Sequence, residues 1–370
     1  MGAVHEVIGD PLGESDDDAV RRRLHPRRTG SETWRAPRRG RGLESLRSGL
    51  GASSTRWALA VGSLLLFACQ DQFFGDRDAG EPVGGTVPGE AVPDAPGPAG
   101  DSRIAFVSER DGNREIYTVN PDGTGLVRVT NDPAADEAPA WSPDGSRIAF
   151  ISNRSGCGPD LYVMNADGSH VVRRTLTGSY TQDPAWSPDG TKIVYSTVSD
   201  GSANLWSVHP DVGEPSLLFA APGFEAQPAW SPDGTRLALV SDWLAYDFVY
   251  DIHLINADGS GFTALTNDIF DHVDYLRPSW SPDGAKIAVA ITRTVGMDRY
   301  VTELGVMNPD GSGLKPLIPA ATWAKSSWSP DGQRLAFTSG VAGHLDVSWV
   351  MADGSSSGTI ITNGWDPDWR

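Results

Sequence analysis

The pentapeptide Trp-Ser-Pro-Asp-Gly occurs five times in this chain, opening at Trp141, Trp186, Trp230, Trp280 and Trp328. Trp369 follows Asp366-Pro367-Asp368 and stands where the next copy would begin. Successive tryptophans lie 45, 44, 50, 48 and 41 residues apart. A period of roughly 40–50 residues marks a repeat array in which each unit is one small sheet that buries its faces only against its neighbours.

Each unit reads as four short strands. The first ends at the tryptophan, and Ser-Pro-Asp-Gly then makes a tight turn, with proline fixing φ and glycine taking the left-handed position. The second strand alternates, as in Arg147-Ile148-Ala149-Phe150 or Arg334-Leu335-Ala336-Phe337. The third is seen in Leu161-Tyr162-Val163-Met164 and Ile252-His253-Leu254-Ile255. Asn165-Ala166-Asp167-Gly168, Asn256-Ala257-Asp258-Gly259 and Asn308-Pro309-Asp310-Gly311 then turn the chain into a fourth strand. Period-two runs joined by Asp-Gly turns, in a chain with 42 Gly, 27 Pro and 13 Trp, specify an all-β protein.

The ends of the repeat region set the blade count. Residues 103–130 supply strands two to four of a blade (Ile104-Ala105-Phe106, Ile116-Tyr117-Thr118-Val119, Leu126-Val127-Arg128-Val129) without a leading tryptophan strand. The C-terminus, Trp365-Asp366-Pro367-Asp368-Trp369-Arg370, is a leading strand without a blade. Pairing the two closes the ring and removes an exposed sheet edge. The expectation is a six-bladed β-propeller of four-stranded blades, closed by the C-terminal strand pairing with the first blade.

The recurring Pro-Ala-Trp-Ser-Pro-Asp-Gly, followed by a short apolar strand and Asn-Ala-Asp-Gly, resembles the propeller repeat of the periplasmic TolB family. The same repeat is found in the propeller domains of some serine peptidases and tricorn-like proteases. The resemblance covers residues 101–370. It implies a fold strongly and a function weakly, since propellers host many unrelated functions. TolB proteins carry a folded α/β domain ahead of the propeller, and here residues 70–100, rich in Gly, Pro, Ala and acids, read as a solvated linker in that place.

Ahead of the linker, residues 1–56 hold 11 Arg, no Lys and 8 acids, with few apolar residues, and read as a disordered basic stretch. An apolar run from Trp57 to Ala68 follows Arg56. It is too short to span a bilayer, which takes roughly 20 residues, and fits the h-region of a secretory signal. Its end, Leu66-Phe67-Ala68-Cys69, resembles the lipobox of bacterial lipoproteins, which implies lipidation of Cys69; residues 57–69 are thus read as signal and lipobox. A plain cleaved signal and an uncleaved anchor are the alternatives. One explanation of the long basic stretch is a translation start after Met1. The location expected is periplasm or cell surface, on a lipid tether, or secretion if the lipid is absent.

Charge narrows the partners. The chain has 30 Lys+Arg against 48 Asp+Glu, so beyond residue 56 there are 19 bases and 40 acids, a net of −21. A body this acidic repels nucleic acid. With only Cys69 and Cys157, no disulfide framework exists.

Catalytic patterns are weak. Gly354-Ser355-Ser356-Ser357-Gly358 matches the bare nucleophile-elbow spacing, but it sits on a turn of the last blade with no histidine after it. The seven histidines (5, 25, 170, 209, 253, 272, 344) show no paired metal spacing, and the Asn-x-Asp-Gly turns lack the ligand series of a calcium loop. No metal, cofactor or catalytic residue is assigned, and the chain is expected not to be an enzyme.

Binding residues are sought where the loops vary. In a blade of four antiparallel strands, the first and third connections share one face and the second and fourth the other. The uniform Asp-Gly turns occupy the first face, leaving the second for function. That second face gathers aromatics: Trp243, Tyr246, Phe248, Phe270 and Tyr275 around the fourth blade, with Trp323 and Trp365 beyond it. Aromatics gathered on a surface are the usual stock of interaction hot spots, and packing between blades is the competing role for each. Three residues before each motif tryptophan stand Ala138, Asp183, Gln227, Arg277, Lys325 and Asp366. These are expected to ring the channel mouth, where both charge signs suit a peptide segment or a polar small molecule. The reading is a monomeric, exported envelope propeller that binds a protein or peptide segment. The alternative is a glycan-binding or carbohydrate-active propeller with acids such as Asp183, Asp247, Asp271 and Asp366 in the cleft.

Overall fold

A computed structural model describes residues 102–370, apart from 177–178, 200–201, 244–248, 268–272, 296–298, 322–323 and 342. In chain order β1 (Ile104–Ser108), β2 (Glu115–Val119) and β3 (Val127–Arg128) begin the first blade. The second holds β4 (Asp136–Trp141), β5 (Arg147–Ser152), β6 (Asp160–Asn165) and β7 (Val172–Arg173). The third holds β8 (Tyr180–Trp186), β9 (Ile193–Ser199), β10 (Ser202–Val208) and β11 (Ser216–Phe219). Blade four has β12 (Ala226–Trp230), β13 (Arg236–Ser241), β14 (Asp251–Asn256) and β15 (Thr263–Ala264). Blade five has β16 (Val273–Trp280), β17 (Ile287–Val295), β18 (Arg299–Met307) and β19 (Lys315–Pro319). Blade six has β20 (Ser326–Trp328), β21 (Arg334–Val341), β22 (His344–Met351) and β23 (Ser357–Thr362). The last strand, β24 (Trp365–Trp369), pairs antiparallel with β1 and completes the first sheet in the order β24-β1-β2-β3. Six four-stranded sheets and their closure match the sequence expectation. The outer strand expected over Leu126–Val129 is shorter, because the N–H groups of Val129 and Thr130 converge on one carbonyl, Ile116 O, and end the ladder.

The repeated turns explain the uniform face. In the first turn Gly145 N donates to Ser142 O at 2.8 Å, while Asp144 Oδ1 accepts from Ser142 Oγ and Ser146 N. In the third, Gly168 N donates to Asn165 O, and Asp167 Oδ1 accepts from Ser169 N. Gly168 has φ +84°, and a Cβ there would stand 2.2 Å from Val129 O of the preceding blade. Gly259 meets Leu218 O, and Gly311 meets Leu265 O, in the same way. The turn is therefore a docking point between blades as well as a reversal of the chain.

Sheets pack face to face through the motif tryptophans. Trp186 Nε1 donates to Ala140 O and Trp328 Nε1 to Ser279 O, each on the preceding inner strand. The arginine opening a second strand lies over the tryptophan of the next blade: Arg147 over Trp186, Arg236 over Trp280, Arg334 over Trp369. At the closure Arg370 takes that part over Trp141, with its guanidinium also on Asp144 O.

Four inner strands carry a β-bulge between the residue four before the tryptophan and the residue just before it, and β24 pairs with β1 through a like shift. At these sites Ala138, Asp183, Gln227, Arg277 and Asp366 adopt φ between 51° and 55°. Each precedes a proline, which has no N–H to give the ladder. Blade six has Ser326 in that place, and β20 pairs with β21 without a register shift.

Ring closure is secured by more than the β24–β1 ladder. Arg103 N and Arg370 N each donate to the other's carbonyl, and Trp369 Nε1 donates to Ser102 Oγ at 2.7 Å. Trp369 is buried with Ile104, Phe106 and Tyr117. Trp369→Ala should therefore cost about 3–5 kcal/mol, and deletion of residues 364–370 should abolish cooperative melting; unchanged thermal melting of the deletion would refute the closure.

The turns also set the response to acid. Asp122, Asp144, Asp167, Asp189, Asp233, Asp258, Asp283, Asp310, Asp331 and Asp353 all have depressed pKa values, held down first by a neighbouring Ser or Thr hydroxyl and then by a backbone N–H. Asp144 and Asp233 fall to about 2. A carboxylate depressed in the folded state contributes stability above its unfolded pKa, and that stability is lost as pH falls through the folded value. Asn at positions 144 and 233 should make acid unfolding between about pH 4 and pH 2 less steep, as followed by tryptophan fluorescence.

Candidate functional site

The second and fourth connections of every blade open on the face opposite the Asp-Gly turns. Buried acids organise them. Glu115, fully buried, accepts from Thr130 Oγ1, Arg128 Nη2, Asn113 Nδ2 and Asp132 N. Asp160 accepts from Arg173, Thr175 and Ser155. Arg154 lies over Phe150 and Tyr162, and its Nη2 donates to both oxygens of Asp136 at 2.8 and 2.6 Å. Arg110 lies likewise over Phe106 and Tyr117 and donates to Thr362 O and Asn363 O.

The fourth blade departs from this pattern. At the position of Arg110 and Arg154 it has Trp243, which is 43% exposed. Two of its carboxylates take backbone donors in place of an arginine: Asp242 Oδ1 accepts from Phe224 N at 2.7 Å, and Glu225 accepts from Ala221 N and also from the Ser241 hydroxyl. Burial holds the Glu225 carboxyl above its usual range. Phe224 meets Tyr250 edge-on at 6.0 Å, and burial, with Asp242 and Asp274 nearby, pushes the Tyr250 hydroxyl up to about 12.

Of the residues expected to ring the channel mouth, the structure joins Arg277 with Asp183 and Gln227 through hydrogen bonds made from within the inner strands. Arg277 Nη1 on β16 of blade five pairs with Asp183 Oδ1 on β8 of blade three. The backbone N–H of Arg277 donates to Gln227 Oε1 at 2.7 Å. Burial works against the Arg277 charge, but Asp183 and Asp366 outweigh it and its pKa is raised. Lys325 Nζ, just before β20, donates to Pro139 O on β4 at 2.8 Å and stands 4.0 Å from Asp368. Asp368 in turn accepts from Trp141 N and Ser327 Oγ. Asp366 N donates to Thr338 Oγ1. Two ties thus join inner strands of blades that are not neighbours, Arg277 of blade five to Asp183 of blade three and Lys325 of blade six to Pro139 of blade two.

Of the aromatic candidates, Trp243 stands exposed and Trp365 is half-buried in β24. Tyr275 is corrected: it is 5% exposed, because β16 begins at Val273 and the alternation Val273, Tyr275 points both into the core shared by blades four and five. Tyr246, Phe248, Phe270, Trp323 and Cys69 lie outside the described residues. His253 is a fully buried core histidine stacked on Phe262 at 4.5 Å, with its pKa lowered by burial. Among the described residues, no group of three His, Cys, Asp or Glu is placed to hold a metal.

Sequence reasoning passed over three exposed apolar side chains on this face. Leu176 stands between β7 and β8, Tyr300 near the start of β18 and Val341 at the end of β21, at 76%, 44% and 70% exposure. Tyr180, at the first position of β8, is 45% exposed. With Trp243 they give five consecutive blades, from the second to the sixth, a large exposed apolar group on the loop-rich face.

Residues 85–220 match the family described as TolB beta propeller domain. A 61-residue stretch is 48% identical to the Tol-Pal system protein TolB of Desulfosudis oleivorans, covering 16% of this chain and 14% of that protein. A 64-residue stretch is 42% identical to Dipeptidyl-peptidase 5 of Porphyromonas gingivalis, covering 16% and 9%. The chain thus matches only a small part of the length of these relatives. The crystal structure of TolB from Acinetobacter baumannii is similar in fold, with a TM-score of 0.63 over 72% of this chain and 66% of that one, at 20% identity. The repeat and the six closed sheets make residues 102–370 a six-bladed β-propeller, and the family match makes residues 85–220 of this chain similar to the TolB beta propeller domain.

Proposed function

We propose that this chain is an exported envelope protein whose propeller is a scaffold for binding another protein through its loop-rich face. The observation that carries the reading is the arc of Leu176, Tyr180, Trp243, Tyr300 and Val341, five large apolar groups exposed at one end of the ring. The opposite end presents the ten aspartates of the Asp-Gly turns. Apolar and aromatic groups bordered by charge are the composition of a protein-binding surface. The likeness to TolB proteins supports an envelope setting, and the Leu66-Phe67-Ala68-Cys69 sequence supports a lipid tether at Cys69. The Gly/Pro-rich residues 70–100 would then hold the propeller off the membrane surface.

The test is crosslinking capture from solubilised envelope, with the tag in residues 75–95 so that the closing strand stays free. Trp243→Ala should change stability by less than about 1 kcal/mol and should lose the captured protein. Tyr275→Ala, by contrast, should cost about 3–5 kcal/mol, read by thermal melting. Capture unaffected by Trp243→Ala and Tyr180→Ala together would move the binding site off the arc. Selective retention on a glycan array without any protein partner would favour a carbohydrate-binding propeller instead.

A further inference from the structure

The channel mouth goes beyond the arc, and its reading stands on residues of its own. The Arg277 side chain carries five N–H donors, yet among the described residues Nη1 alone is matched, to Asp183, and Nε is buried with no partner there. Asp366 acts on Arg277 through space without a hydrogen bond to it. Lys325, just before the neighbouring inner strand, spends one donor on Pro139 O. Both cations keep about a fifth of their side chains exposed, at 22% and 21%. The left-handed backbone at Arg277 and Asp183 is not special to them, since Ala138, Gln227 and Asp366 share it. The special feature is the tie itself: a carboxylate from blade three pairs with a guanidinium of blade five.

A guanidinium is built to take a carboxylate through two parallel bonds, and here it receives one. We propose that the channel mouth is a recognition site for a carboxylate group, with Arg277 and Lys325 as its cationic donors, and that Asp183 is an internal surrogate which holds the site until a ligand carboxylate displaces it. The ligand class is a peptide C-terminus or an acidic side chain. No covalent step is involved, and the exchange of one carboxylate for another leaves the guanidinium paired throughout.

The surrogate role is distinguishable from a purely structural brace. Asp183→Ala in the full-length protein should lower the melting temperature by leaving the partly buried guanidinium without its carboxylate. Sodium acetate should then restore at least about half of that loss, whereas sodium chloride at the same ionic strength should not. The wild-type protein should respond equally to the two salts, and Arg277→Met should show no acetate rescue. Asp183→Asn serves as a second variant should the alanine form fold poorly. Equal melting of both Asp183 variants in acetate and chloride would overturn the proposal. Calorimetry on Asp183→Ala with a short peptide, its C-terminal amide, and an amide carrying one Asp separates the two ligand sources. Binding of the free-acid peptide alone assigns a C-terminus, and binding of the Asp-bearing amide assigns an acidic side chain. Binding of the plain amide as tight as the others would overturn carboxylate recognition.

Discussion

Every sheet in this protein leans on the one before it, so the ring has no independent unit, and its integrity rests on the seam where β24 meets β1. Without β24, the inner edge of β1 would lie open, and the cluster of Ile104, Phe106, Tyr117 and Trp369 would lose the side chain that fills it. An unpaired inner edge is a template for aggregation, and a propeller avoids it only by closing. The seam joins Ser102 to Arg370, 268 residues apart, so the ordering cost of the whole chain is met before the seam contributes anything. Folding should accordingly be slow for the size of each blade, because the decisive contacts are the least local.

The two faces of the ring are under different constraints, which is why one is uniform and the other varied. On the Asp-Gly face each third turn presses a glycine against the carbonyl of the preceding outer strand, leaving no room for a side chain. Its aspartate is engaged by the hydroxyl and N–H two residues on. Change there would separate neighbouring blades. The connections on the opposite face are fixed mostly by bonds within their own blade, such as Arg154 with Asp136 or Glu225 with Ser241, so one blade can diverge without disturbing the next.

Much of the fold was legible because its signals are local and repeated. The tryptophan spacing gave the blades, and the half-blades at either end gave the closure. The bulges were less legible. A proline ordinarily drives the preceding residue to extended backbone, yet Ala138, Asp183, Gln227, Arg277 and Asp366 are left-handed. What decides this is the missing proline N–H in the middle of an inner strand, which only the paired sheet reveals. Asp183, Gln227, Arg277 and Asp366 share one register with the tryptophans, but the pairing of Arg277 with Asp183 joins blades that are not neighbours and left no trace in the sequence. Tyr275 was read as a loop aromatic because β16 is longer than its counterparts, at 8 residues. Leu176, Tyr300 and Val341 escaped notice because an isolated apolar residue has no period, and its exposure depends on what fails to cover it.

The fourth blade shows how a repeat acquires a distinct surface by a single exchange. After the second strand of blades one, two and four, a residue's N–H rests on a serine hydroxyl two positions back: Arg110 on Ser108, Arg154 on Ser152, Trp243 on Ser241. The backbone socket is therefore the same. An arginine in it folds back over the ring pair of its own blade and is consumed by internal acceptors. An indole has one donor and no charge to satisfy there, while the neighbouring acids have turned to the N–H groups of Ala221 and Phe224. Nothing draws the side chain inward, so it stands at the rim. The scaffold keeps its geometry and releases one large aromatic group to solvent, which is the change needed to turn a structural tie into a contact surface.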